Sequence, residues 1–74
     1  MSIKDLDLSK EDIEKFVSSY IFNERNRAIV LRKWLDDIKF EPLAEEFDIS
    51  TVHAKRIVHY ADMKLREKLN APTK

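Results

Sequence analysis

The chain contains no glycine among its 74 residues, and this absence limits the folds that it can adopt. Tight β-hairpin turns, glycine-rich phosphate loops and dinucleotide-binding turns need positive φ or a very close backbone approach, which glycine supplies best. Charged residues (38%) are mixed with hydrophobic ones (43%), and there are only two prolines. This combination is typical of amphipathic helices and predicts an all-α fold.

The length predicts a single domain, 1–74, with one small core. The chain has no cysteine, so neither a disulfide nor a thiolate metal site is expected, and a reducing compartment fits. No apolar run approaches the roughly 20 residues that a membrane-spanning helix needs, and the first residues lack an apolar signal core. We therefore expect a cytoplasmic protein with no membrane partner.

Apolar residues recur at helical spacing in the first half of the chain. Ser9, with Asp12 three residues later, has the pattern of a capping box and predicts a helix over about 10–22. Asn23 is the expected cap of a second helix, over about 24–35. On that helix the inward residues are expected to be Ala28, Leu31, Trp34 and Leu35, while Arg25, Arg32 and Lys33 are expected to be solvated, with phosphate contact as the alternative.

A short helix and a tight turn are predicted next. Proline is tolerated in the first turn of a helix, so Pro42 fits a helix over about 41–47. Asp48 is expected to turn the chain in the left-handed conformation, which aspartate accepts better than most residues other than glycine.

Ser50 is the expected cap of a long final helix, over about 50–69, followed by a disordered tail at about 71–74. The sequence therefore predicts a four-helix fold with a C-terminal helix-turn-helix at 41–69. The buried stripe of the last helix is expected to contain Ala54, Ile57, Val58, Ala61, Leu65 and Leu69.

The formal net charge of the chain is zero, but the charges are unevenly distributed. Residues 1–48 hold 8 Lys or Arg and 12 Asp or Glu, whereas residues 49–74 hold 6 and 2. The basic end of the chain is therefore its last helix. Because the local field rather than the total charge attracts a polyanion, this distribution favours double-stranded DNA as the partner.

Catalytic chemistry has little support in the sequence. His53 and His59 do not share a helix face, and no cysteine or third histidine completes a metal site. Ser50 already has a role as a cap, and the Asp36–Asp37 pair is expected to be a helix end. We expect no enzyme activity, no metal and no cofactor.

In a helix-turn-helix, the second helix enters the major groove by its N-terminal turns. Arginine and lysine can read guanine there, threonine can donate or accept, and valine methyls can pack on a thymine methyl. A helix N-terminus with a serine cap suits a phosphate. A charged surface helix with no DNA role is the alternative. The candidate DNA-binding residues are Ser50, Thr51, Val52, His53, Lys55, Arg56 and His59.

Several strings in the chain resemble a known family. The segment E-E-F-D-I-S-T-V-H-A-K-R-I, followed by A-D-M-K-L-R-E-K-L, resembles the fourth region of bacterial sigma factors, a helix-turn-helix that reads a promoter element. The A-I-V-L-R-K stretch resembles the preceding part of that region, so the resemblance covers about 23–69. The strings N-E-R-N-R-A-I and F-E-P-L-A-E-E-F-D-I-S are most similar to small free-standing regulators of phages and mobile elements in Gram-positive bacteria.

The resemblance implies a sequence-specific DNA-binding regulator of transcription. Val52 and Ala54 depart from the more polar or basic residues usual in sigma factors, so no promoter specificity is implied. Nothing in the chain resembles the region of sigma factors that melts promoter DNA. The base- and backbone-contacting positions implied by the family are Thr51, Val52, His53, Lys55 and Arg56.

Two other roles remain open at this point. The chain could be a protein-interaction module that docks on RNA polymerase or another transcription protein, with Val52, Tyr60 and Met63 as exposed apolar contacts. It could also form a homodimer, as many small helix-turn-helix proteins do, with the first helix at the dimer seam.

Overall fold

The computed structural model describes residues 8–70 as four α-helices, with no strand in that range. α1 spans Lys10–Tyr20, α2 spans Glu24–Asp36, α3 spans Phe40–Glu46 and α4 spans Thr51–Asn70. α4 packs against each of the other three helices. The all-α, four-helix prediction is confirmed, while the predicted tail at 71–74 lies outside the described residues. None of the described helices is both long and apolar enough to cross a membrane.

The beginning of α1 follows from a local signal. The Ser9 hydroxyl accepts from the Asp12 N–H at 3.1 Å, and the Asp12 carboxylate accepts from the Ser9 N–H at 3.3 Å. This confirms the predicted capping box. α1 ends at Tyr20, two residues earlier than predicted, because Ile21 is extended (φ −123°, ψ 109°). The chain leaves the helix there so that Asn23 can cap α2, accepting from the Asn26 N–H at 3.1 Å.

The buried face of α2 agrees only in part with the predicted one: Trp34 is buried as predicted, but the centre of the face is shifted. Ile29 and Val30 are fully buried and Trp34 is nearly so, whereas Ala28, Leu31 and Leu35 are only half-buried. Four consecutive apolar residues, 28–31, leave the helical period without a unique inward face. Packing against α1 and α4 selects the face centred on Val30.

The core lies between α1, α2 and α4, with α3 closing one side. The predicted stripe of α4 is buried as far as Leu65, and the Leu69 side chain lies outside the described part. Trp34 joins α2 to α4, since its indole N–H donates to the Asp62 carboxylate at 3.1 Å. The core cluster consists of Ile13, Val17, Ile21, Ile29, Val30, Trp34, Leu43, Ile57, Val58, Ala61 and Leu65.

Two left-handed aspartates bound the short α3. Asp48 has φ 54°, in the left-handed region that the sequence predicted for it. Asp37, at the end of α2, also has φ 54°, and its left-handed conformation was not predicted. After α3, the Ile49 N–H donates to the Ala44 carbonyl at 3.0 Å, and α4 begins after four connecting residues. The Ser50 hydroxyl then accepts from the His53 N–H at 3.0 Å, confirming Ser50 as the cap of α4. The Ser50 cap therefore sets the residue at which α4 begins.

Arg32 holds α2 against α3 through a surface ion cluster. Its guanidinium donates to both carboxylate oxygens of Glu46, at 2.8 and 3.0 Å, and to the Asp36 carboxylate at 2.5 Å. The hydrogen bonds from Arg32 lower the pKa of Glu46 because they favour the charged carboxylate. Arg32 is therefore occupied within the fold rather than simply solvated.

Glu46→Gln should remove an acid-sensitive part of the stability. Since the pKa of Glu46 in the folded state lies below its ordinary value of 4.5, the carboxylate contributes stability above that pH and loses it as the pH falls through the folded pKa. The difference in unfolding free energy between wild type and variant should be present at pH 7 and shrink below about pH 4. Urea unfolding followed by Trp34 fluorescence measures it.

Glu45→Gln is the matched control, because it removes the same charge from the same helix without touching Arg32. If both variants lost equal stability at every pH, the ion cluster would have no specific role.

Candidate functional site

One face of α4 carries four of the predicted residues in a single row. The buried stripe of the helix leaves Val52, Lys55, Arg56 and His59 on the opposite side, and all four are exposed. Their spacing of three, four and seven positions places them along one side of the helix. Val52 is 60% exposed although it is apolar. The structure therefore brings these four residues together.

The other three predicted residues lie at the margins of this row. Ser50 is exposed, and its hydroxyl oxygen already caps the helix. Thr51 is half-buried and lines a small groove with Lys39 and Pro42 at the start of α3. His53 is exposed and faces the connection between α1 and α2. These three therefore border the row on different sides.

Phe40, the first residue of α3, forms one wall of a groove of about 400 Å³ beside the row; we call this the Phe40 groove. Lys33 lies over the Phe40 ring, with Nζ 4.4 Å from the ring centroid, and Lys55 approaches the same ring at 5.9 Å. The Lys33 ammonium also donates to the Ile38 carbonyl at 2.9 Å, whereas Lys55 is exposed and its charge stays in water. The residues that line the Phe40 groove are Phe40, Val52, Lys55, Arg56, Val58, His59 and Asp62.

The positive charge at this face therefore comes from three elements. Lys33 lies on α2, Lys39 on the connection, and Lys55 on α4, and Phe40 stands between them. Lys39 and Phe40 are not among the site residues predicted from the sequence. They are distant from α4 along the chain, and only the short α2–α3 connection brings them to it, so no local signal marked them.

The cations at the beginning of α4 are not neutralised by ion pairs. Among residues 8–68, neither Lys55 nor Arg56 takes part in one, whereas Lys64 pairs with Glu67 at 3.6 Å. Of the nearby carboxylates, Asp62 accepts from Trp34, and Glu41 lies in the groove beside Thr51 and Lys55. The first half of the α4 face thus presents more positive charge than its second half.

A second groove, of about 460 Å³, lies on the other side of Arg56; we call it the Phe22 groove. The Phe22 side chain is 81% exposed and Tyr60 is 50% exposed. Arg56 lines this groove as well as the Phe40 groove, and so belongs to both. The residues that line the Phe22 groove are Tyr20, Ile21, Phe22, Asn23, Asn26, His53, Arg56, Ile57 and Tyr60.

Phe22 was predicted to end the first helix, and no role was predicted for its side chain. The available signal was its position: Phe22 falls outside the apolar stripe of α1 and directly precedes the cap Asn23. Val52, Tyr60 and Met63 were expected off the core face, and each is about half exposed or more.

Comparison of the chain with protein families, with curated proteins and with solved structures gave no match. The resemblance to region four of sigma factors therefore stays a prediction from the sequence.

Proposed function

We propose that this protein binds double-stranded DNA sequence-specifically and regulates transcription. In this proposal α3 and α4 act as a helix-turn-helix, and α4 lies in the major groove. The observation that carries it is the exposed row of Val52, Lys55, Arg56 and His59, in which the two cations form no ion pair among the described side chains. A row of this kind at the N-terminal half of a helix suits base-edge contact.

The neighbouring residues suit contacts with the DNA backbone. Half or more of the hydrogen bonds between proteins and DNA go to phosphate and sugar, and they fix the orientation of the protein. Lys39 is exposed on the α3 side of the row, beside Phe40, where it would meet one strand. Ser50 and the N-terminus of α4 would contribute at the end of the helix. Lys55 and Arg56 would then read bases, with Val52 against a thymine methyl.

The approach of the two helices also supports the proposal. Ala44 of α3 is almost completely buried against α4, at 2% exposure. A small side chain there lets the two helices pack closely, and the turn through Asp48 leads directly into the Ser50 cap. The exposed row is therefore held on a rigid support rather than on a loop.

A selection of bound duplexes from a random pool tests the proposal. Fluorescence anisotropy then compares the selected duplex with a scrambled duplex of the same composition. A specific complex should bind the selected duplex about 1,000-fold or more tightly than the scrambled one. The logarithm of the affinity should fall with the logarithm of the salt concentration by about 0.9 per phosphate contact. No binding at low salt, or equal binding of both duplexes, would remove the proposal.

A protein-interaction role is the second candidate, because Tyr60 and Met63 are both about half exposed on α4. RNA polymerase is the partner that the resemblance to sigma factors implies. Capture of purified polymerase by a protein that shows no affinity for any selected duplex would favour this role over DNA binding.

A further inference from the structure

We propose that the Phe22 groove binds an acidic segment of a partner protein that carries an aromatic or branched aliphatic side chain. The groove lies between the α1–α2 connection and the first half of α4, and its walls are largely apolar. Its occupation by such a segment goes beyond DNA binding and would regulate it through Arg56.

Phe22 is the principal apolar feature of the groove. Its side chain is 81% exposed, although burying a phenylalanine is worth about 1.5–3 kcal/mol. Its backbone is nevertheless fixed, because the Phe22 carbonyl accepts from Arg27 Nη2 at 3.0 Å and the next residue, Asn23, caps α2. The backbone from which the ring projects is therefore already ordered, which reduces the ordering cost for a partner that covers the ring.

The other aromatic rings of the groove act as walls rather than as free stacking surfaces. The Tyr20 ring lies against Phe16, with centroids 4.7 Å apart, and Lys64 Nζ lies 5.6 Å from the centroid of Tyr60. Of the three rings that line the groove, only Phe22 has no such neighbour in the described part of the chain. A single ring beside a groove suits one inserted apolar side chain better than the successive stacked bases of a single-stranded nucleic acid.

The positive charge of Arg56 in the groove favours a negatively charged partner. Arg56 and His53 line it, and none of its lining residues is a carboxylate. A guanidinium can hold a carboxylate by two parallel hydrogen bonds, and Arg56 is in no ion pair among residues 8–68. An apolar side chain against Phe22 with a carboxylate on Arg56 satisfies both features at once.

Arg56 connects this groove to the row on α4. A segment that engages Arg56 in the Phe22 groove withdraws it from DNA, so the partner and the duplex should compete. This competition rests on the proposed function, whereas binding of the segment itself does not.

Display selection of random 12-residue peptides on the full chain tests the inference. The selected peptides should carry a net negative charge and an aromatic or branched aliphatic residue. In anisotropy titrations without DNA, Phe22→Ala and Arg56→Ala should each weaken binding of a selected peptide by about tenfold or more. Arg66→Ala is the matched control: it removes an exposed arginine of the same helix outside the groove and should leave the affinity unchanged.

Other occupants give distinct results that would overturn the inference. Neutral or basic peptides, or equal binding by the Phe22→Ala variant, would show that the groove lacks this specificity. A dimer seen in sedimentation equilibrium and lost in Phe22→Ala would assign the groove to a second copy. Binding of a labelled oligothymidine that depends on Phe22 would assign it to single-stranded nucleic acid. Because Phe22 is exposed, its variant should remain folded, and circular dichroism checks this.

Failure of the proposed function has a separate signature. A protein that binds the acidic peptide but no duplex would overturn DNA binding and support the groove assignment. If both ligands bind, the acidic peptide should displace the duplex from the wild-type protein, and simultaneous binding of both would overturn the regulatory part.

Discussion

Replacing Lys55 and Arg56 together by alanine should lower the affinity for a selected duplex by about 100-fold or more. Each well-placed contact between such a cation and a base is worth about 1–3 kcal/mol. Since about 1.4 kcal/mol corresponds to a tenfold change in affinity, two losses of that size give about 100-fold. Both side chains are exposed on the α4 face and neither belongs to the core. Anisotropy titrations at several salt concentrations give the affinity, and the change in its salt dependence shows how many phosphates the two cations neutralise.

The matched control removes the same charge from another part of the molecule. Lys10 and Lys15 are exposed on α1, and their joint replacement by alanine should change the affinity only slightly, through the overall field. Both double variants should keep the unfolding free energy within about 1 kcal/mol of wild type, since surface substitutions usually cost little. Equal losses of affinity in the two variants would show that α4 has no special part in binding.

Ile29→Ala should lower the unfolding free energy by about 2–5 kcal/mol. The Ile29 side chain is completely buried, and its truncation removes apolar contacts and leaves a cavity. A core of this size rarely supplies more than about 3–5 kcal/mol, so the variant should be largely unfolded at ordinary growth temperatures. Urea titration at low temperature, followed by Trp34 fluorescence, measures the loss.

Leu31→Ala provides the comparison, because it is a similar truncation on a neighbouring face of α2. Leu31 is half-buried, and its loss should cost less than half as much as the loss of Ile29. Ile29→Val, a milder change, should cost about 0.5–1.5 kcal/mol and keep the protein measurable at higher temperature. A larger effect at Leu31 than at Ile29 would support the inward face that the sequence predicted.

Signals that act within one turn of a helix were read correctly from the sequence. The capping box of Ser9 and Asp12, the Asn23 cap and the Ser50 cap all appear as hydrogen bonds in the structure. The left-handed Asp48 also followed from the residue type. Each of these depends on neighbours only three or four positions away, so the sequence contains all the determinants.

The inward face of α2 could not be predicted in the same way. The four apolar residues 28–31 satisfy the helical period for more than one orientation, and the choice belongs to the packing of α1 and α4. The early end of α1 has a similar origin, because Ile21 leaves the helix to meet the geometry of the next cap. Tertiary contacts decided the first point, and the start of the next helix decided the second.

The candidate site also has a part that the sequence predicts and a part that depends on tertiary packing. The row on α4 follows from helical spacing, and the structure places its four residues on one exposed face. Phe40 and Lys39 join them only because the α2–α3 connection is short and turns at Asp37. Phe22 becomes part of a groove only when α1 and α4 pack together. Residues that share a site without sharing an element gave no periodic signal.

The left-handed turn at Asp48 also bears on how this sequence can diverge. A residue with a Cβ atom in this conformation carries a strain of about 1–2 kcal/mol, less for aspartate, and glycine would relieve it. Asp48 is exposed and lines neither the Phe22 nor the Phe40 groove. A substitution there can therefore add stability without altering either binding surface. That added stability would let the exposed faces of α4 accept destabilising changes while new specificities arise.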